Sequence, residues 1–167
     1  MSDVTGELVA ECKRQYENCA YTAATFHIWL RWLRGCQIAC NVIAVIFGAL
    51  AAWNAAKQSW PALAAVSALL ATAIPIAYRA SKADERINEY MTLAAEFTNL
   101  RDRFRQAALI WSQKPLAEFE AATKQLFERH EKARQHAVTP PEWAFLSARR
   151  KFEQGHYTLD YDLKEAA

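Results

Sequence analysis

Two sets of side chains in this 167-residue chain have types and spacings that could do chemistry. The first is an amide pair, Gln37 and Asn41, one helical turn apart within a long uncharged stretch. Amides so placed either line a water path or hydrogen-bond across a packed helix interface. The second is a basic run, Arg149, Arg150 and Lys151, followed by Gly155, His156 and Tyr157. Arginine forks onto phosphate and an aromatic ring stacks on a base, which makes Arg149, Arg150, Lys151, His156 and Tyr157 candidate ligand-binding residues. The competing reading is a basic helix end that complements the helix dipole beside anionic headgroups.

The other reactive residue types form no catalytic pattern. Cys12, Cys19, Cys36 and Cys40 contain no CxxC pair and read as packing thiols. His27, His130, His136 and His156 have no metal-ligand spacing, and the four glycines make no phosphate-cradling loop. Carboxylates stand beside bases at helical spacing, as on solvated helix faces. No catalytic, metal or cofactor-binding residue is therefore expected, and an enzyme is the least supported class. A net charge of +2 generates no field on the scale that DNA or RNA binding needs.

The elements that hold these residues follow from charge and hydropathy. Between Arg34 and Arg79, the 44 residues Gly35 to Tyr78 carry one charged side chain, Lys57. About 20 apolar residues at 1.5 Å each cross a bilayer, so the segments 36–56 and 60–78 each have the length of a span. The whole-chain mean hydropathy of -0.16 hides this, because charged residues make up about 30% of the sequence outside the stretch. Arg31 and Arg34 before the first span, with Arg79, Lys82 and Arg86 after the second, outweigh Lys57 in the connection and place both termini in the cytoplasm. Trp29, Trp32 and Tyr78 mark the inner interface, and Trp53 and Trp60 the outer one. The first 34 residues mix acids and bases around no short apolar core, so no cleavable signal peptide is expected. A soluble bundle with a buried central hairpin is the alternative that Gln37, Asn41 and Asn54 keep open.

Small residues pattern the spans. Gln37, Asn41, Ala44, Gly48, Ala52 and Ala55 share one face of the first, and Ala44, Gly48 and Ala52 form a row at intervals of four that lets membrane helices approach closely. Ala64, Ala68 and Thr72 repeat the interval in the second span. Pro75 frees the carbonyl of Ala71, which the Thr72 hydroxyl or a neighbouring helix could satisfy. Gln37, Asn41, Ala44, Gly48, Ala52, Thr72 and Pro75 are thus the candidate pore or helix-packing residues.

The flanks read as long helices. Val9, Cys12, Tyr16, Cys19, Ala23, Phe26, Leu30 and Leu33 alternate by three and four, a coiled-coil seam, and no proline separates Leu8 from the first span. Ile87, Tyr90, Ala94, Phe97, Leu100, Phe104, Ala108 and Trp111 form a second stripe after the hairpin. Pro115 opens a further helix through about Ala137, and Pro140 and Pro141 precede a shorter one that Gly155 stops. The expected fold is all-α, a transmembrane helical hairpin with long cytoplasmic coiled-coil-like helices. It divides into an N-terminal amphipathic helix (1–34), the two-span hairpin (35–78) and a C-terminal helical region (79–167).

The amphipathic first helix, the minimal hairpin, EYMTLAAEFTNLRDRF from Glu89 to Phe104 and ARRKFEQGHYTLDYD from Ala148 to Asp162 together resemble the SLATT family of bacterial two-transmembrane effectors. That resemblance implies a pore-forming effector of antiphage defence that disrupts the bacterial inner membrane. It would be set off by a cyclic oligonucleotide or other nucleotide-derived signal, or by a partner sensor protein. The spans and coils imply a homo-oligomer in the lipid bilayer. A non-conducting anchor or scaffold that recruits a cytoplasmic partner is the reading of a different class.

Overall fold

The structure, a computed structural model, describes residues 2–57 and 60–155. The elements are α1 (Ser2–Lys57), α2 (Pro61–Ala80), α3 (Ala83–Leu109), a 3-10 turn (Trp111–Gln113), α4 (Leu116–Gln135) and α5 (Glu142–Glu153). The chain is all-α, and α1 and α2 are long and apolar enough to cross a membrane. It forms two compact units, residues 1–29 with 90–167, and residues 30–89.

The first unit is a helical bundle from α1 up to Trp29, α3 from Tyr90, α4 and α5. Its helix ends follow local chemistry. Pro115 and Pro141 stand at the N-caps of α4 and α5, where the N–H that proline lacks has no intrahelical acceptor. Gly155 takes a φ of 70° after α5, a left-handed conformation that costs glycine little, and its N–H donates to the Phe152 carbonyl at 2.9 Å.

The seam read from α1 is buried within the single chain: Cys12, Tyr16, Cys19, Ala23 and Phe26 belong to the core. Phe97 and Tyr90 of α3 meet Phe26 at ring-centroid distances of 5.8 and 6.0 Å, and Phe152 of α5 lies 4.1 Å from Tyr21. Two turns further along the same face of α3, Phe104 packs against Phe127 and His130 of α4 at 5.4 and 5.7 Å. Arg129 of α4 donates through Nε and Nη2 to the two carboxylate oxygens of Glu96 on α3, at 2.6 and 2.9 Å. The fork fixes the register of these two helices more than it stabilises them, since both groups reach solvent.

The second unit is the hairpin, residues 30–89. The inner faces of α1 and α2 carry small residues: Ala44, Gly48 and Ala51 are half-buried, as are Ala64 and Ala71, and Ser67 is buried. A Cβ built on Gly48 would meet the Ala71 Cβ at 4.0 Å, ordinary contact, so alanine would fit there as well. Large apolar side chains cover the outside, with Ile38, Val42, Val45, Ile46, Leu63, Val66, Leu69 and Ile76 all exposed. Such a surface is the reverse of a soluble core helix, whose apolar side chains turn inward.

Between α2 and α3 lie only Ser81 and Lys82. Lys82 adopts a φ of 52°, a left-handed conformation that costs a residue with a Cβ about 1 kcal/mol or more. The turn is held by N–H donation from Ser81 to Ala77 at 3.1 Å and from Lys82 to Arg79 at 3.1 Å.

Candidate functional site

Within the hairpin the two amides part company. Gln37 is half-buried and its Nε2 donates to Asp84 Oδ1 at 2.9 Å, while the Tyr78 hydroxyl donates to the same oxygen at 3.3 Å. One carboxylate at the start of α3 thus ties the two spans together. Asn41, one turn further along α1, lies outside this clasp, exposed among Ile38, Val42 and Val45 and without a hydrogen bond to a described residue. Ala44 and Gly48 belong to the inner face, whereas Ala52 is exposed.

In α2 the helix continues through Pro75. Thr72 is exposed and its hydroxyl donates to the carbonyls of Ala68 at 3.2 Å and Leu69 at 3.0 Å. It therefore serves the turn before the carbonyl of Ala71 that proline leaves without its usual donor. Asn54, the amide near the outer end of the first span, donates to its own helix at the Leu50 carbonyl, 2.9 Å away.

The bundle holds a separate feature, a cleft of about 1000 Å³. Gln15, Asn18, Tyr21 and Thr22 of α1 form one wall, and Phe26 and Phe97 contribute to its lining. His130 and Arg134 enter from α4, and Glu142, Phe145 and Arg149 from α5, with residues 137–140 of the connection closing one side. Of the candidate basic run, Arg149 alone lines the cleft, where its Nε also donates to Glu153 at 2.9 Å. Arg150 is exposed and Lys151 half-buried, and neither belongs to the lining. His156 and Tyr157 lie outside the described residues.

His130 is the lining residue that its type and spacing in the sequence did not single out. Only 7% of it is exposed, the edges of its ring contacts face Phe97 and Phe104, and it makes no hydrogen bond to a described residue. Burial pushes its pKa below the ordinary value of 6.5, and the nearby Arg134 charge pushes the same way. The imidazole at the floor is therefore neutral at pH 7. A depressed histidine stabilises the fold above its unfolded pKa, and that contribution is lost as pH falls from about 6.5 toward the lower folded pKa. The melting temperature of the bundle is expected to drop between pH 7 and pH 5, and to drop less in His130→Gln; equal slopes in circular-dichroism melts would refute this role.

The cysteines of the bundle are poor nucleophiles. Burial pushes the Cys12 thiol up to about 11, with Glu11 adding to the effect, and burial pushes Cys19 to about 12 against the opposing Arg134 charge. Neither supplies thiolate at neutral pH. The bundle offers packed thiols and a ligand-sized cleft, and the spans of the hairpin offer an apolar exterior on which the amide of Asn41 is exposed. Comparison with protein-family models, with curated proteins and with solved structures finds no match.

Proposed function

We infer that this chain is an integral membrane protein, a two-span hairpin that associates with further copies of itself and acts as a pore-forming effector of a bacterial antiphage defence system. Both termini lie in the cytoplasm, the bundle is the receiving part, and a nucleotide-derived signal or a sensor partner triggers it. The observation that carries this reading is the outer surface of the two spans, where the exposed Ile38, Val42, Val45, Ile46, Leu63, Val66, Leu69 and Ile76 accompany an exposed amide, Asn41. An amide facing hydrocarbon is costly until it finds a partner, and the same amide on a neighbouring copy is one. The basic residues at Arg31, Arg34, Arg79, Lys82 and Arg86 support the orientation. The Gln37–Asp84 clasp supports a closed resting hairpin whose opening would release a second amide.

Asn41→Leu tests association and leakage together. The variant is expected to stay in the membrane, to lose the wild type's oligomer in detergent, and to leave dye-loaded liposomes sealed under conditions where the wild type empties them. Equal leakage by Asn41→Leu and wild type would remove the amide from the mechanism. Liposomes left sealed by wild type under every trigger tried would favour the anchor or scaffold reading.

A further inference from the structure

We propose that the cleft of the bundle is a binding site for a small heteroaromatic anion of the nucleoside-monophosphate class. Its volume of about 1000 Å³ sits at the upper end of ordinary small-molecule pockets. The chemistry of the lining is divided. Tyr21, half-buried, and Phe145, exposed, present aromatic surface against which a planar base gains stacking energy, while Phe26 and Phe97 are packed on each other in the buried floor. Arg134 and Arg149 bring two guanidinium groups from different helices to a lining that holds one carboxylate, Glu142, and Arg149 is also ion-paired with Glu153 at 2.9 Å. Arginine donors suit a phosphate, because charge-assisted forks are short and strong.

The deciding observation is His130. More than nine-tenths buried, it lines the cleft with no hydrogen bond to a described residue, and its ring nitrogens are not sealed from solvent, so a molecule in the cleft can reach them. A neutral imidazole carries one donor and one acceptor nitrogen, which match the mixed edge of a nucleobase. Inorganic phosphate would use only the arginines and leave the rings and His130 unserved.

The proposal rests on the proposed function for its regulatory meaning, and stands apart from it for binding. The test is calorimetric titration of AMP, GMP, CMP and UMP, and of inorganic phosphate, into the full chain in detergent. At least one nucleotide is expected to bind saturably, with affinity falling about tenfold or more in Arg134→Gln and in Arg149→Gln. Arg150→Gln, outside the cleft, should bind as wild type does, and phosphate alone should bind at least about tenfold more weakly. His130→Phe, which keeps the ring volume and removes the nitrogens, should weaken the nucleotide and leave phosphate unchanged. Melting curves establish that each variant is folded. No saturation at millimolar nucleotide, an equal loss in Arg150→Gln, or phosphate binding as tightly as nucleotide would each overturn the proposal. Intact binding with liposomes that never leak would overturn the proposed function alone, and lost binding with intact leakage the cleft alone.

Discussion

Phe104→Ala is expected to destabilise the helical bundle by about 3–5 kcal/mol, the usual cost of truncating a fully buried phenylalanine. Phe104 has no exposed surface and stands between Phe127 and His130, so its removal empties the centre of the α3–α4 interface. Domains of ordinary size are stable by about 5–15 kcal/mol, and this one change would consume a large part of that. Cys12 and Cys19 give a local readout, because both thiols are fully buried and react only when the bundle opens. In a Cys36→Ser, Cys40→Ser background, Phe104→Ala should label at far lower denaturant than the parent. Phe145→Ala, which removes an exposed ring at the cleft, should shift the labelling midpoint by less than about 1 kcal/mol. Similar shifts for the two variants would mean that the α3–α4 contact does not hold the bundle together.

What the sequence made legible here was whatever is written in local periodicity. The alternation from Val9 to Leu33 specifies a buried face, and of its eight members Cys12, Tyr16, Cys19, Ala23, Phe26 and Leu30 are buried, while Val9 and Leu33 at the two ends are half-buried. Prolines set the starts of α4 and α5, and the charge gap from Gly35 to Tyr78 marked the hairpin. The turn at Ser81 and Lys82 was silent, because a lysine in a left-handed conformation leaves none of the glycine or asparagine signal that announces such a turn.

The cleft was silent for a different reason. Its lining runs from Gln15 to Arg149 and converges only when four helices pack. One signal was present but easily passed over. Thr123, Leu126, His130 and Ala133 follow the same three-and-four spacing as the α4 core, which puts that histidine on a buried face and not among solvated ones. The clasp of Gln37 on Asp84 joins residues 47 apart in sequence, and no local pattern relates them.

Val45→Arg combined with Leu69→Arg is expected to abolish retention of the chain in alkaline-washed membranes, where the wild type should stay in the pellet. Both side chains are turned outward, 71% and 67% exposed, near the midpoints of the spans 36–56 and 60–78. An arginine at the centre of a membrane helix costs roughly 2.5–3.5 kcal/mol on insertion-based scales, and two of them act on a hairpin with few other anchors at that depth. Depth provides the control. Trp32 is also exposed, but it sits just before the first span, where a long basic side chain reaches the headgroups. Trp32→Arg should therefore remain with the membrane. If a second protein and not lipid covered the apolar exterior, arginine would be costly wherever the contact was tight, with no dependence on distance from the span centre. Equal loss of Trp32→Arg and the Val45, Leu69 double variant would thus assign that surface to a protein partner, and a wild type found in the supernatant would remove the membrane from the proposed function altogether.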